Sequence, residues 1–404
     1  MTDLFTEESN VRYYSRIFPA IFGRAKNSTM FDSLNNPYID FFAGAGTLNY
    51  GHNNDLFKQK IIDYIQHDGI IHSLDMMTEV RAEMIANFQK FILKKRGLDY
   101  KIQFTSPAGT DAIEAALKLA RKYTKRKNIL YFSNSYHGMS MGALSVTPKK
   151  ERIGIPVGYS IELPFFQENS PTNYDLGKYL TSLKESELPA AIILETVQAE
   201  GGINVASEEW LQYIASTANE HGILLIIDDI QVGVGRAGDF FSFERAKIKP
   251  DIVCLSKSLS GFGLPLAVIL IKPEIDLWEA GEHTGTFRGF NLAFLGCNES
   301  ILAYWKDEKF SEQIKKTSSF LRDKLNKICT PRNYQIYGIG MILGIDILDG
   351  ELASKLKTEC FKKGLIFETC GPKKSVIKMI PPLNITIEDL EKGLEIFLNV
   401  LNSN

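Results

Sequence analysis

The chain has 404 residues, 44% of them hydrophobic and 23% charged, and a formal net charge of −2. That balance describes a folded globular protein long enough for more than one domain, and it excludes the basic footprint of a nucleic-acid or anionic-membrane binder. No apolar run approaches the ~20 residues that span a bilayer, and the acidic, polar start (Thr2, Asp3, Glu7, Glu8) is not a secretory leader. Five scattered cysteines with no CxxC pair, and six histidines without metal-ligand spacing, point to a cytoplasmic protein with no disulfide framework and no metal site.

Residues 15–22 are apolar but interrupted by Pro19, which reads as an extended arm packed on a second subunit or a small domain. A strand is expected over 38–42, followed by a glycine-spaced loop to His52, and helical periodicity over 54–67 and 76–95. Strand-like and helical runs then alternate. The strands are 101–105, 128–132, 190–195, 223–227, 252–255 and 267–271. Helices fall at 110–123 and at 207–221, where Ser207 is a start signal and Gly222 a stop. Continuous apolar strands between helices predict an α/β fold with a mostly parallel sheet covered on both faces. Residues 146–190, with five prolines, read as an excursion from that pattern. After Thr286 come helices at 291–305 and 309–328, strands at 334–338 and 341–347, a helix at 351–363, strands at 365–369 and 375–380, and a last helix at 386–401. The expected domains are therefore an N-terminal segment and arm (1–54) contributing to a smaller α+β domain at 315–404, and a large domain at 55–314.

Ligands of open α/β sheets bind beyond the carboxyl ends of the strands, so the residues that follow each strand are informative. Ser106-Pro107-Ala108-Gly109-Thr110 opens a helix, and its backbone N–H groups can cradle a phosphate. Tyr136, in Tyr136-His137-Gly138, is an aromatic that can stack on a flat ring. Glu195 ends a strand, with Gln198, Glu200, Gly201 and Gly202 close behind. Asp228 leaves five apolar residues and needs a positive partner, either a protonated ring nitrogen or Arg236. Lys257 follows the apolar run 252–255; a desolvated amine there has a lowered pKa and is a nucleophile toward carbonyls. Pyridoxal phosphate uses a lysine, a carboxylate, a phosphate site and a stacking face together.

These motifs, in this order and spacing over nearly the whole chain, resemble the class III (omega) aminotransferases. The segments are Gly109-Thr110, Tyr136-His137-Gly138, Glu195 to Gly202, Asp228 to Arg236 and Leu255 to Gly261. Residues 8–12, 41–52 and 281–291 are similar to the diaminobutyrate–2-oxoglutarate aminotransferases of ectoine and siderophore biosynthesis. The resemblance implies a fold type I enzyme, with a large domain and a small one. It further implies a homodimer or dimer of dimers with shared active sites, and ping-pong transfer of the terminal amino group of L-2,4-diaminobutyrate to 2-oxoglutarate. It assigns Lys257 to covalent attachment of pyridoxal 5'-phosphate and to proton transfer, and Asp228 to the ring nitrogen. Gly109 and Thr110 go to the phosphate, Tyr136 to the ring face and Gln231 to the ring hydroxyl. His137 and Glu195 complete the cofactor set, and Thr286 reaches the phosphate of the neighbouring subunit.

Three positions depart from that pattern. Ala108 lacks a phosphate-binding hydroxyl, Met139 stands where an arginine takes the acceptor's distal carboxylate, and Lys378 replaces the arginine that takes its alpha-carboxylate. Arg288 is therefore expected to supply an acceptor contact, and Glu200 to pair with Lys378 as a gate closed for the amine donor. A pyridoxal phosphate aminomutase or racemase would keep Lys257 and Asp228 without exchanging nitrogen with an oxo acid. A cofactor-sensing regulator would need a DNA-binding module, and neither end of the sequence shows one.

Overall fold

The computed structural model of the protein describes residues 7–148, 154, 158–167 and 175–403. Thr2 and Asp3 of the acidic start, and residues 149–153, 155–157 and 168–174 of the proline-containing excursion, lie outside the described residues.

Three strands open the fold, β1 (Phe22–Lys26), β2 (Thr29–Asp32) and β3 (Pro37–Asp40). The middle of the chain supplies β4 (Lys101–Phe104), β5 (Ile129–Phe132), β6 (Ser160–Leu163), β7 (Ala191–Leu194), the short hairpin β8 (Val197–Gln198) and β9 (Asn204–Val205), then β10 (Leu224–Asp228), β11 (Ile252–Leu255) and β12 (Val268–Ile271). The last quarter supplies β13 (Gln335–Ile339), β14 (Ile342–Asp346), β15 (Leu365–Ile366), β16 (Glu368–Cys370) and β17 (Val376–Met379).

The central sheet has seven strands in the order β4-β12-β11-β10-β7-β5-β6. Only β12 runs against its neighbours, so the sheet is mixed but mostly parallel. Strand residues alternate between its two faces. Ile193, Ile226, Ile252 and Ile269 pack on the alanine-rich face of the helix Gly109–Thr124. Leu194, Leu225, Ile227, Val253 and Leu270 belong to the larger core on the other side, with Trp210, Leu211 and Ile214 of the helix Glu208–Glu220. Burial on both faces is why these strands read as unbroken apolar runs. Ser207 accepts from Trp210 N at the start of that helix, the cap its sequence predicts.

The structure corrects several local expectations. The excursion contains β6, a further parallel strand beyond β5; its sequence, Ser160-Ile161-Glu162-Leu163, alternates because it is an edge strand. The run 76–95 is an α-helix only over Glu79–Asn87 and continues with π-type spacing over Phe88–Leu93. The run 365–369 is two strands, because the chain turns at Phe367 from β15, which pairs with β3, to β16, which pairs with β17. The first turn of the arm is helical over Tyr14–Ile17. Phe18 then buries itself against Phe361 and Ile366, and the partly buried Ile17 and Phe22 pack on the same cluster. Through β3–β15 pairing and this cluster, the N-terminal segment joins the C-terminal part of the chain. Among the described residues no helix is long and apolar enough to cross a membrane.

Phe18 is the one fully docked anchor that the arm gives to that cluster. Phe18→Ala should cost about 3 kcal/mol, read as a lower midpoint in chemical denaturation; an unchanged midpoint would show that the arm does not dock.

Candidate active site

Beyond the carboxyl ends of β5, β7, β10 and β11 lies a cavity of about 330 Å³. It is lined by Ala108, Gly109, Thr110, Tyr136, His137, Gly138, Met139, Glu195, Glu200, Asp228, Gln231 and Lys257, with Val197, Ile230 and Val232 as apolar walls. Gly109, Thr110, Tyr136, Glu195, Glu200, Asp228 and Lys257, each at or after a strand end, therefore meet in one place, whereas Gln198, Gly201, Gly202 and Arg236 do not line it.

Asp228 closes β10 with every residue of that strand buried. Burying a carboxylate is costly unless it is hydrogen-bonded, and two donors hold it here. His137 Nδ1 donates to Oδ2 at 2.7 Å and the Ile230 N–H donates to Oδ1 at 3.1 Å. The His137 ring is fully buried and its Nε2 has no hydrogen-bond partner. Its side chain thus orients Asp228. Arg236, the alternative partner for Asp228, is engaged elsewhere: it is fully buried and donates to the Met341 carbonyl at 2.9 Å, the Pro381 carbonyl at 2.5 Å and Asn49 Oδ1 at 2.6 Å. It ties the segment after β10 to both ends of the chain.

Lys257 stands at φ +47°, a left-handed conformation that costs a non-glycine residue about 1–2 kcal/mol. The kink lifts it out of β11 into the short helix Lys257–Ser260. Burial lowers its amine from 10.5 to about 8. The charges of Glu200, Asp228 and Glu195 limit the fall, and Lys378 adds to it. Glu195 is pushed well above the usual carboxylate range by burial and then by the neighbouring charge of Asp228; the Tyr136 N–H donates to its Oε2 at 3.1 Å.

At the opposite corner the helix Gly109–Thr124 begins with no side-chain cap, because Ala108 has none to offer. The helix start is closely packed at Gly109: a Cβ there would sit 3.1 Å from Ile230 side-chain carbons, which would have to shift. The Thr110 hydroxyl lies 2.6 Å from Ser140 Oγ, which itself donates to Glu114 Oε1 at 2.6 Å. Thr110 Oγ1 therefore spends its proton on Ser140, and backbone N–H groups are what this corner presents to an anion.

Glu200 lines the cavity and Lys378, on β17, holds it from behind with Nζ 2.5 Å from Oε1. Burial alone would raise Glu200, but the ammonium charges of Lys378 and Lys257 bring it down to about 2. The pair does not open by titration at any ordinary working pH. Gln231 Nε2 donates to the Ala45 carbonyl at 2.9 Å, while its Oε1 is buried without a partner. Ala45 belongs to a turn, Ala43–Gly46, in which all four residues have positive φ. The Gly46 carbonyl accepts from Ser258 Oγ at 2.6 Å, so the turn braces the residues beside both Asp228 and Lys257. The glycine spacing of that loop was its only signal in the sequence, and it did not point to this bracing role.

Thr286 and Arg288 do not line this cavity. Arg288 Nη2 pairs with Asp75 Oδ2 at 2.5 Å, and the exposed Thr286 offers its carbonyl to His72 Nε2 at 2.9 Å. Around them Ile70, Ile71, Leu74, Met76, Met77 and Phe287 are all exposed. Among the described residues no group of His, Cys, Asp and Glu side chains could hold a metal ion, and all five cysteines are free and buried.

The residues present suit pyridoxal phosphate. They offer a nucleophilic amine, an oriented carboxylate, an uncapped helix N-terminus, an unpartnered acceptor on Gln231 and the ring of Tyr136 around one cavity.

The fold and this site define an aminotransferase, and the chain belongs to the class III aminotransferase family, whose model matches residues 11–401. Enzymes of that family depend on pyridoxal phosphate. Similar curated proteins include the diaminobutyrate–2-oxoglutarate transaminase of Halalkalibacterium halodurans, 50% identical over 399 residues with 96% of this chain and 93% of the relative covered. The enzyme of the same description from Virgibacillus pantothenticus is 50% identical over 400 residues, covering 96% of each chain. Among solved structures, the S-selective transaminase from an Arthrobacter species superposes with a TM-score of 0.86 at 20% identity, covering 98% of this chain and 95% of that one. The fold is type I.

Lys257 should react with aldehydes in step with its deprotonation. The rate at which pyridoxal phosphate attaches covalently to the apoprotein should rise with pH to a midpoint near 8, and Lys257→Ala should fold but show no such attachment. A midpoint above 10 in stopped-flow absorbance, the ordinary lysine range, would contradict the desolvated setting.

Proposed function

We propose that the protein is a diaminobutyrate–2-oxoglutarate transaminase, exchanging the terminal amino group of L-2,4-diaminobutyrate with 2-oxoglutarate. The observation that carries the reaction type is the convergence of the Lys257 amine and the His137-held Asp228 on one cavity that ends at an uncapped helix N-terminus. The substrate pair rests on the curated relatives at about 50% identity along the full chain.

Bound pyridoxal phosphate supplies an aldehyde for the substrate amine and a ring that takes up the electron pair released when a carbon–hydrogen bond ionises. Asp228 would hold a proton on the ring nitrogen, and His137 fixes the orientation of Asp228 for that role. Lys257 Nζ, beside that ring, would take the proton from the substrate carbon and return it one position away as general base and then general acid. Its lowered pKa suits both directions near neutrality. The helix N-terminus at Gly109 and Thr110 would hold the phosphate, and Tyr136, on the wall of the same cavity, would supply the aromatic face for the ring.

Glu200 and Lys378 divide the two half-reactions. The carbon bearing a terminal amine carries no carboxylate, so the closed pair fits that donor. The carbon bearing the amine of glutamate does carry one, and Glu200 must release Lys378 for it. Glu200→Gln should therefore shift the apparent affinity for the oxo-acid acceptor by about tenfold, with a smaller effect on the diamino acid. Equal effects in steady-state kinetics would remove the gate from the account.

We further propose a homodimer, or a dimer of such dimers, whose interface covers the exposed apolar patch around Met76 and Phe287. Thr286 and Arg288 would then serve the partner's cavity, the first at the phosphate and the second at an acceptor carboxylate. Arg288→Ala should weaken the apparent affinity for the acceptor, and an unchanged value would sink that assignment. The free, buried cysteines fit a cytoplasmic setting.

A half-reaction screen tests the main reading. Each candidate amine is mixed with holoenzyme and the cofactor's visible band is followed. L-2,4-diaminobutyrate should bleach it and 2-oxoglutarate should restore it. Failure of every amine to bleach would exclude transamination.

A further inference from the structure

Opening the Glu200–Lys378 pair would strand a buried charge. Lys378 is fully buried on β17, and an ammonium there is very costly to leave unpaired. The fold sets a second carboxylate opposite it. Glu368 on β16 is the direct antiparallel partner of Lys378, so the two side chains leave the sheet on the same face. Glu368 is 3% exposed. Its Oε1 accepts from Lys357 Nζ at 2.8 Å and from Thr369 N at 2.7 Å, whereas its Oε2 is buried with no hydrogen-bond partner. An ammonium has three donors, and among the described residues the Lys378 side chain makes one hydrogen bond, to Glu200. An under-used donor group and an unused acceptor thus leave directly paired positions of the sheet on one face, and in the closed state they lie beyond salt-bridge distance of each other.

Four side chains alternate in sign along this path, Lys357, Glu368, Lys378 and Glu200, and their charges cancel. Two phenols sense the same cluster. Tyr13 is raised by burial and then by the charges of Glu368 and Glu200, and Tyr14 is raised to about 12 by burial and then by Glu200. The two carboxylates therefore act on a common region, which the charge of Lys378 also reaches.

We infer that Glu368 is a positioning residue for the dicarboxylate half-reaction. Its open Oε2 receives the Lys378 ammonium when Glu200 lets go, and holds it where an incoming carboxylate shares it. Closed, Lys378 rests on Glu200; open, it rests on Glu368 and the substrate. The terminal-amine half-reaction keeps the pair closed and does not use this station. The inference rests on the gate reading of Glu200 and Lys378, and it adds a residue outside the cavity lining.

The test uses glutarate, a dicarboxylate with no oxo group to react, titrated calorimetrically into holoenzyme. Glu368→Gln should bind it at least about tenfold more weakly, since one of two counter-charges to the buried ammonium is gone. Because that variant also strands Lys357, the double variant Lys357→Met/Glu368→Gln is measured beside it. The double variant should recover thermal stability but not glutarate affinity, and the terminal diamine should bleach both variants as it does wild type. Wild-type glutarate affinity in the double variant would overturn the role of Glu368 alone, leaving a purely structural ion pair. Absence of glutarate binding to wild-type holoenzyme would overturn the dicarboxylate reading, and this inference with it.

Discussion

The carboxylate of Asp228, at the end of a strand buried on all sides, is the constraint on which the site depends. A carboxylate without hydrogen-bond partners at that depth would be too costly to keep. Here the His137 ring and the Ile230 N–H hold it in place. The geometry costs stability, as does the left-handed backbone at Lys257. The two-sided core around the central sheet offsets both, since β7, β10 and β11 have all their apolar residues buried. Strain collects where the chain turns from sheet to site, and the sheet supplies the rigidity that keeps it there.

Electrostatics extends outward from that point in a graded way. Lys257 has three carboxylates near it and yet loses basicity, because desolvation outweighs their attraction. Glu200 responds in the opposite sense: it is also penalised by burial, but two ammonium groups more than compensate. The difference is one of partners. Glu200 has Lys378 in direct contact, whereas among the described residues no partner sits within salt-bridge distance of the Lys257 amine. A desolvated amine without a fixed counter-ion is what a carbonyl-binding lysine requires.

Much of this was legible in the sequence because the residues that line the cavity lie at or just beyond strand ends, and parallel strands buried on both faces announce themselves as apolar runs. Lys257, Asp228, Tyr136 and the Gly109-Thr110 turn were located in that way. What was not legible depends on pairings between distant segments. Glu368 reads as one more charge after an apolar run until β16 and β17 bring it opposite Lys378. Arg236, a little beyond the strand end and just after Gly235, suggested a partner for Asp228, but its donors go to carbonyls of the C-terminal part and to Asn49. The chain turn at Phe367 was hidden because β15 and β16 follow one another with no glycine or proline between them to mark a break.

The claim on which the rest turns is that nitrogen leaves the terminal carbon of the donor and reaches 2-oxoglutarate. L-2,4-Diaminobutyrate labelled with ¹⁵N only at its terminal amine, incubated with holoenzyme and unlabelled 2-oxoglutarate, tests it directly. Mass spectrometry of the glutamate formed should show the label quantitatively transferred. Unlabelled glutamate, or label retained in the four-carbon compound, would contradict the account.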